Sequence, residues 1–380
     1  NGFRNPWVNN FDLRVTQEEI DLSYDLVDDR LLEALSSAAD HIFYFHNEQK
    51  EHDLWMSEAS PGVLVGQKVV PLDSVGAYVP GGRAAYPSSA LMTVIPAKVA
   101  DVPRIVVCTP PQKDGSINPL TLAAADMAGA DEIYKLGGAQ AIAAMALGTD
   151  SIERVDKIVG PGNVYVTAAK MLTRGSVEID FPAGPSEVLI LADRTADPGV
   201  IAADMIAQGE HDPKSISVFV SLDDLLASAV AEELNIQAPG AARSDIVSES
   251  LEHSAILLAD DMDEALDFVN AFAPEHLEII TKEPMNVLRS IRNAGSVFLG
   301  KFTPVAAGDY ASGTNHVLPT SGYARIFSGL NVDHFTKKMT LQMITDEGLL
   351  GLEETITTLA EAEGLLAHAE SVRRRLEPRE

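Results

Sequence analysis

The sequence predicts an α/β fold with two Rossmann-like domains, parallel-rich sheets and small helical segments at both ends. Three observations favour it. Short β-branched runs alternate with helical patterns from about residue 75, which is typical of βαβ units. The length of 380 residues exceeds what one ordinary core contains. Strand patterns also end in glycine or proline before a helix, as phosphate-binding junctions do.

The first half of the chain opens with helices and continues as strand–helix pairs. Residues 1–70 have mostly helical spacing, and "VGAYVPGGRAAYPSSALMTVIPAKVA" predicts a strand, a tight loop and a helix. Three pairs follow: "RIVVCTPP" with "PLTLAAADMAGA", "DEIYKLGG" with "AQAIAAMALGT", and "RVDKIVGPG" with "NVYVTAAKMLTRG". These segments predict the first parallel sheet.

The second half repeats the alternation. Its predicted strands are "SEVLILA", "SISVFVSL", "SAILLAD", "LEIIT" and "SVFLG", with helical patterns between them, and the chain from about Asn331 is predicted helical. We therefore expect a discontinuous α/β domain from residues 1–77 and 188–330. Residues 78–187 should form the other α/β domain, and residues 331–380 a helical tail.

Composition excludes several classes of protein. Acidic residues number 56 against 28 basic ones, a net charge of −28, which disfavours nucleic acid and anionic membranes as partners. No run reaches eighteen apolar residues, so no membrane span is expected. The first ten residues lack the features of a signal peptide. The single cysteine, Cys108, fits a reducing cytoplasm and is expected to be buried and inert.

Two successive strand–helix junctions carry partial phosphate-loop patterns. "KLGGAQAIAA" and "KIVGPGNVYV" each place a glycine pair before a helix, and Gln140 and Asn163 stand at the helix starts. Amide side chains bind ribose or carboxamide groups without adding charge, which favours a nucleotide site. Close packing of helix on strand explains such glycines equally well.

The histidines and acids give several candidate sites. Asp204, Gln208 and His211 share one stripe of a predicted helix, which is either half of a zinc site or a polar surface. The segment "AAGDYASGTNHVLPTSG" holds Asp309 and His316 in a long irregular loop, either functional or a surface connection. On the tail helix, Glu363 and His368 lie five residues apart and are predicted to face solvent.

"FAPEHLEI" places a carboxylate beside an imidazole. Glu275 and His276 are either a proton-transfer pair or part of a charged turn, because adjacent side chains of a strand face opposite ways. Glu278 is interpreted as an ordinary neighbour. Ser186 lies outside any G-x-S-x-G pattern, which disfavours a serine nucleophile.

Together these segments resemble a known family. "GAYVPGGRAAYPSSALMTVIPAKVA", "KLGGAQAIAA", "DKIVGPGNVYV", "DFPAGPSEVLILAD", "QGEHDP", "FAPEHLEI", "AGDYASGTNHVLPT" and "AEGLLAHAESV" occur in the order of the histidinol dehydrogenase family, between about residues 42 and 374. The resemblance implies oxidation of L-histidinol to L-histidine through a bound aldehyde, with one zinc ion and two successive NAD+ molecules. It also implies a histidine-biosynthetic enzyme.

The resemblance assigns a role to each matching position. The implied zinc ligands, which also contact the substrate, are Gln208, His211, Asp309 and His368. Glu275 and His276 are implied as the catalytic pair, and His276 also contacts the substrate. Tyr78, Gln140 and Asn163 match NAD positions, so residues 78–187 would bind NAD. Ser186 and Glu363 match substrate positions, Glu363 beside the imidazole, and His316 matches an active-site histidine. The domain of residues 1–77 and 188–330 would carry most zinc-binding and catalytic residues.

The family resemblance further implies a homodimer that exchanges segments. Residues 331–380 would be its dimerisation tail, so that Glu363 and His368 complete the partner's site. The helical lead-in that the family has before "VTQEEI" is absent or vestigial, and Gly209 replaces a better helix former.

Three alternatives stay open: a zinc- and NAD-dependent dehydrogenase of another small diol such as a sulfonated one, a zinc hydrolase, and a non-catalytic binding protein. A carboxylate at Glu363 suits an imidazole and repels a sulfonate.

Overall fold

The computed structural model describes residues 12–81, 85–182 and 184–377. Residues 1–11, where the sequence predicts no signal peptide, lie outside the described residues. The strands are β1 (Leu54–Ser60), β2 (Val63–Pro71), β3 (Val75–Tyr78), β4 (Ile105–Thr109), β5 (Glu132–Lys135), β6 (Lys157–Val159), β7 (Glu178–Ile179), β8 (Glu187–Ala192), β9 (Ile216–Ser221), β10 (Ala255–Leu258), β11 (His276–Ile280), β12 (Ser296–Leu299) and β13 (Thr336–Ile344).

The helices connect these strands. They are α1 (Gln17–Leu26), α2 (Asp29–Asn47), α3 (Pro87–Val99), α4 (Pro119–Met127), α5 (Gly138–Leu147), α6 (Val164–Thr173), α7 (Pro198–Gly209), α8 (Asp224–Gln237), α9 (Ser244–Leu251), α10 (Met262–Phe272), α11 (Pro284–Leu288), α12 (Val305–Tyr310), α13 (Asp346–Ala362) and α14 (Leu366–Leu376). In the described part of the chain, no helix is both long and apolar enough to cross a membrane.

Two parallel sheets confirm the predicted α/β class. The first has the order β5-β4-β3-β6-β7 and the second the order β10-β9-β8-β11-β12, with parallel pairing throughout. Each sheet starts in its middle strand, moves outward to one side and then crosses to the other. This order is that of a Rossmann fold, and it places a switch point between β3 and β6 and another between β8 and β11.

Each sheet is held by apolar layers on its faces. The central strands β4, β8 and β11 are buried at every position, as expected for strands covered by helices on both sides. Along β11, Leu277 and Ile279 pack into one apolar cluster, while Ile280 packs into another with Met205 of α7. Because side chains alternate along a strand, His276 and Glu278 belong to the Ile280 face. That face of β11 therefore carries the polar groups.

A third sheet corrects the predicted termini. Strands β1, β2 and β13 pair antiparallel, and β13 pairs with β2 from Thr336 to Ile344. The prediction of helix for residues 50–70 and for the start of the tail was wrong. The residues of β1 are all exposed and β13 is nearly so, so neither segment has the buried apolar run by which a strand is recognised in a sequence.

The chain divides into two compact units. One contains residues 12–49 and 72–335 with both parallel sheets, and the other contains residues 50–71 and 336–377. The second unit joins the antiparallel sheet to α13 and α14. The expected border between residues 77 and 78 passes through β3, a central strand of the first sheet. Residues 50–71 belong to the second unit because their strands β1 and β2 form one sheet with β13, and β2 is the middle strand.

Local signals in the sequence set the start of β11. Helix α10 ends at Phe272, and Ala273 adopts a left-handed conformation with φ 55°. Pro274 follows and cannot continue a helix, since it lacks an N–H. The chain therefore turns sharply before Glu275 and enters the second sheet at His276.

Candidate active site

Glu275 and His276 meet the main chain of Glu187 at the amino-terminal ends of β8 and β11. The His276 Nδ1–H donates to the Glu187 carbonyl oxygen over 3.1 Å. The Glu187 N–H donates to Glu275 Oε2 over 2.8 Å. Each of the two predicted catalytic side chains is only 6% exposed. Both side chains are therefore held at one edge of the sheet by the backbone of the same residue.

The His276 ring presents a free nitrogen to this edge. With Nδ1 protonated, Nε2 carries the lone pair, and it is buried without a hydrogen-bond partner. It lies 3.9 Å from Asp309 Oδ1. Burial lowers the pKa of His276 to about 4, against the carbonyl bond that raises it, and the nearby His211 and His316 lower it further. The ring is therefore neutral at neutral pH.

The acids around this histidine have pKa values shifted upward. Burial raises the pKa of Glu275 well above its usual range. The Glu187 N–H opposes that shift, while the charges of Glu187 and Asp309 add to it. Burial alone raises the pKa of Asp309 to about 6. Perturbed acids beside a neutral imidazole are a frequent signature of catalytic and metal-binding sites.

The predicted loop brings a second histidine beside Asp309. The His316 Nδ1–H donates to the Asp309 carbonyl oxygen over 3.1 Å. Burial lowers the pKa of His316 to about 4, and the charge of His211 contributes in the same direction. His211 has an exposed side chain, and partial burial of its ring lowers its pKa, against the charge of Glu210, which raises it. Four side chains therefore lie close enough to interact electrostatically: His211, His276, Asp309 and His316.

Gln208 occupies the last turn of α7 with an unsatisfied amide. It is 3% exposed, and its Nε2 has no hydrogen-bond partner. The two ends of a Gln amide are assigned from the hydrogen-bond network, so the unpartnered position also fits Oε1 turned toward a cation. Among the described residues, no group of three or more His, Cys, Asp or Glu side chains is placed to hold a metal. Gln208 falls outside that count, and its orphaned amide, with imidazole and carboxylate groups close by, fits zinc chemistry.

Helix α2 supports the loop through residues that sequence reasoning missed. Asn315 Nδ2 donates to the Met92 carbonyl over 2.7 Å and lies 3.3 Å from His46 Nε2. The His46 Nδ1–H donates to the Ile42 carbonyl, so Nε2 is the acceptor for Asn315. Burial lowers the pKa of His46, against contacts with the Ile42 and Leu330 carbonyls, which raise it. The sequence did not single out His46, because it lies in an amphipathic helix and only its position on the buried face of that helix marks it as different.

A second contact joins the same helix and loop. The His41 Nδ1–H donates to the Ala311 carbonyl over 2.7 Å. Gly313 has φ 95°, and a Cβ there would collide with the His41 carbonyl. Only glycine permits both the conformation and the close approach. The predicted irregular loop thus begins as helix α12, which carries Asp309, and the loop after it, which carries His316, is anchored on α2.

The carboxyl edge of the first sheet places the predicted NAD residues near the switch point. Tyr78 ends β3, and its hydroxyl accepts the N–H of Gly138, the first residue of α5, over 3.0 Å. Gln140 and Asn163 are both exposed at helix starts. Asn163 also caps α6, since its Oδ1 accepts from Tyr165 N over 3.0 Å. The three residues lie at or directly after the carboxyl ends of β3, β5 and β6, and this is the edge of the sheet at which Rossmann folds bind dinucleotides.

An ion pair holds the backbone at this edge of the first sheet. Asp180 pairs with Lys170, and its Oδ2 accepts the Gly160 N–H over 2.8 Å. The Lys170 ammonium donates to the Gly160 carbonyl over 3.0 Å. Gly160 has φ 113°, and a Cβ there would collide with the Tyr78 carbonyl. Neither charged residue was predicted, because nothing in their spacing connects them to the glycine.

The remaining predicted residues are spread over both units. Ser186 is half-buried directly before β8. Glu363 and His368 are exposed side chains of the second unit, at the end of α13 and in α14. Cys108 is buried in β4, and burial raises the pKa of its thiol to about 12, as expected for an inert thiol.

The sequence profile of the histidinol dehydrogenase family matches residues 4–376. A histidinol dehydrogenase of Methanosarcina barkeri is 57% identical over 361 residues, covering 95% of this chain and 83% of the relative. One of Methanothermobacter thermautotrophicus is 58% identical over 370 residues, covering 97% and 86%. Both matches extend over nearly the whole chain, including the two sheets and the candidate site.

Solved structures agree with the sequence relatives. The crystal structure of histidinol dehydrogenase from Elizabethkingia anophelis superposes with a TM-score of 0.94 at 44% identity, over 96% of this chain and 84% of that one. A betaine aldehyde dehydrogenase of Staphylococcus aureus reaches a TM-score of 0.53 at 10% identity, over 86% and 82%, which is a likeness of fold alone. The chain belongs to the histidinol dehydrogenase family.

Proposed function

We propose that this enzyme oxidises L-histidinol to L-histidine in two NAD-dependent steps, the final steps of histidine biosynthesis. In the first step the alcohol loses a hydride to NAD+ and a proton to the protein, and an aldehyde forms. In the second step the aldehyde adds water, and its hydrate loses a second hydride to a second NAD+. The products are one carboxylate, two NADH and three protons, so four electrons leave the substrate.

The observation that carries the proposal is the free Nε2 of His276. Its lone pair is buried, unpartnered and fixed in direction by the Nδ1–H bond to Glu187. A neutral imidazole with a fixed lone pair is suited to take the hydroxyl proton as hydride leaves. We assign His276 as the base of the alcohol step.

Glu275 is assigned to the water step. Its Oε2 is 3.6 Å from His276 Nδ1, so a substrate near the imidazole is also near the carboxylate. A carboxylate with a raised pKa is a stronger base than an exposed one, and burial shifts Glu275 in that direction. Glu275 would take a proton from the water that adds to the aldehyde.

The substrate is expected to be held by the groups at the edge of the second sheet. We propose that Gln208, His211, Asp309 and His368 hold one zinc ion, which polarises and orients the amino alcohol when bound. The same four residues, with Ser186 and His276, would contact the substrate, and Glu363 would face its imidazole. The orphaned amide of Gln208 supports the zinc assignment. Holding the aldehyde in place while NADH leaves keeps the reactive intermediate from escaping.

NAD+ is assigned to the crevice of the first sheet, in the domain of residues 78–187. Tyr78, Gln140 and Asn163 lie at its carboxyl edge, and the glycine-bearing junctions, which lack side chains, allow a pyrophosphate to approach the main chain closely. Support comes from Gly160, whose positive φ and close approach to Tyr78 exclude any side chain there. Nicotinamide must then reach the substrate held near His276.

We further propose a homodimer with segment exchange, in which Glu363 and His368 complete the partner's site. Large apolar side chains are exposed in the second unit, as at a subunit interface: Leu54, Trp55, Met56, Met343 and Ile344. Mixing His368→Ala chains with Glu275→Ala chains should restore activity, since each mixed dimer then contains one intact site. Mixed dimers as inactive as the parents would contradict a shared site.

We place the enzyme in the cytoplasm, where the single buried thiol of Cys108 stays reduced.

The decisive experiment counts NADH per histidine formed from L-histidinol. Two NADH per histidine is expected. Reduction of NAD+ with a sulfonated diol but not with histidinol would favour the related dehydrogenase. Hydrolysis of an ester or amide without NADH would favour a zinc hydrolase. No reduction of NAD+ by histidinol in zinc-loaded protein would overturn the proposal.

A further inference from the structure

Glu278 is a buried acid that the proposed reaction does not use. It is 1% exposed and lies in β11 two residues after His276, on the same face of the strand. One of its oxygens, Oε1, accepts the N–H of Val305 over 3.0 Å. Val305 is the first residue of α12, the short helix that carries Asp309. Glu278 therefore joins the strand of His276 to the helix of Asp309.

The other side of Glu278 faces α7. Its other oxygen, Oε2, is buried without a hydrogen-bond partner, and its carboxyl group interacts with that of Asp204, which lies one turn before Gln208 on that helix. Two carboxylates without a proton between them repel each other and cannot hydrogen-bond. Burial and the neighbouring acid raise the pKa of Glu278, and burial also raises the pKa of Asp204 to about 6. A proton shared between the two carboxyl groups would remove the repulsion between them and give the buried Glu278 Oε2 a hydrogen-bond partner.

We propose that Glu278 is a positioning residue that, as a carboxylic acid, bridges Asp204 of α7 and the Val305 amide of α12. The bridge sets Gln208 and Asp309, carried by these two helices, against His276 on the strand between them. This inference rests on the proposed function only in taking Gln208 and Asp309 as zinc ligands. Residues that orient ligands from behind commonly change metal affinity about 10- to 100-fold when they are replaced.

The test uses two substitutions of nearly equal volume. Glu278→Gln keeps a carbonyl oxygen for the Val305 N–H and an amide N–H for Asp204, so zinc affinity should stay within about threefold of wild type. Glu278→Leu removes the bond from Val305 and the interaction with Asp204, and zinc affinity should fall about 10- to 100-fold. Zinc affinity is measured by competition with a chelator, on folded dimer purified by size. Thr281→Val serves as the control, because Thr281 Oγ1 in the same chain segment has no partner.

Kinetics separate positioning from general damage. In Glu278→Leu, kcat with histidinol should fall at saturating zinc while KM for NAD+ stays unchanged, because the first sheet is untouched. Equal loss of zinc affinity in Glu278→Gln and Glu278→Leu would overturn the proposal, since an ionised group would then be required. Unchanged zinc affinity in Glu278→Leu would overturn it as well.

If Glu278→Leu does not fold, Asp204→Ala removes one arm of the bridge at a half-buried position. Zinc affinity should then fall in the same direction by a smaller factor, and wild-type affinity there would contradict the bridge. A wild-type enzyme that binds zinc but does not oxidise histidinol would refute the proposed function. The order of zinc affinities among these variants would still decide the role of Glu278.

Discussion

His276 donates its Nδ1–H to the main-chain carbonyl of Glu187, 3.1 Å away, at the point where β11 begins. Because a main-chain carbonyl cannot be protonated or removed by substitution, this bond fixes both the tautomer and the direction of the ring. The main-chain N–H of the same Glu187 holds Glu275. One residue of β8 therefore orients both proposed bases through its backbone.

The two oxidation steps should separate when His276 is replaced. In His276→Ala, oxidation of histidinol should fall about 100- to 10,000-fold, because the alcohol step loses its base. Oxidation of added histidinaldehyde should fall much less, since its hydrate is formed at Glu275. Both rates are followed by NADH absorbance with each substrate supplied separately. An equal loss in both steps would contradict separate bases.

Glu275→Gln should produce the opposite pattern. The amide keeps an oxygen for the Glu187 N–H but cannot take a proton from water, so the aldehyde step should slow about 100- to 10,000-fold. Histidinol should then yield one NADH per molecule and trapped aldehyde instead of two NADH and histidine. Full histidine formation at the wild-type rate in this variant would remove Glu275 from the water step.

The buried parallel strands could be predicted from the sequence, but the residues that support the proposed catalytic side chains, such as Glu187 and Glu278, could not. The strands of both sheets have continuous apolar runs, and a βαβ connection leaves few alternatives for their order. The β13 pattern of exposed Lys and Met residues lacks such a run, so its pairing with β2 was missed. Glu187 contacts Glu275 and His276 through its backbone, and a pattern of side chains in the sequence does not predict such contacts. Glu278 looked ordinary because its partners Asp204 and Val305 are distant in sequence.

The anchor of the loop on α2 should make folding sensitive to acid. His46 is fully buried and its pKa is lowered from the ordinary value of 6.5, so the folded state resists its protonation. The unfolded chain binds that proton below about pH 6.5, which favours unfolding. The free energy of unfolding should therefore fall as the pH falls below about 6.5, and this contribution is absent above it.

His46→Gln isolates that contribution from the other titrating groups. Gln keeps an oxygen to accept from Asn315 and has no charge to gain. Urea unfolding at pH 7 and pH 5 should show a smaller loss of stability in the variant than in wild type. The raised pKa values of Glu275 and Glu278 act in the opposite direction, but they are common to both proteins and cancel in the comparison. Identical pH dependence in the two proteins would exclude His46.

The ion pair of Lys170 and Asp180 should couple folding to NAD+ binding. Both side chains are buried, at 6% and 5% exposure, and together they hold the N–H and the carbonyl of Gly160. Lys170→Met leaves an unpaired buried carboxylate and should cost about 3–5 kcal/mol of stability. It also frees the Gly160 peptide, so KM for NAD+ should rise while KM for histidinol changes little.

A second substitution separates these two effects. Adding Asp180→Asn to Lys170→Met removes the unpaired charge but keeps an oxygen for the Gly160 N–H, so part of the lost stability should return. NAD+ binding should recover less, since the carbonyl of Gly160 still lacks the Lys170 ammonium. Urea unfolding and NAD+ titration of both variants measure the two quantities. A double variant that is less stable than Lys170→Met would show that the carboxylate of Asp180 is stabilising even without its partner.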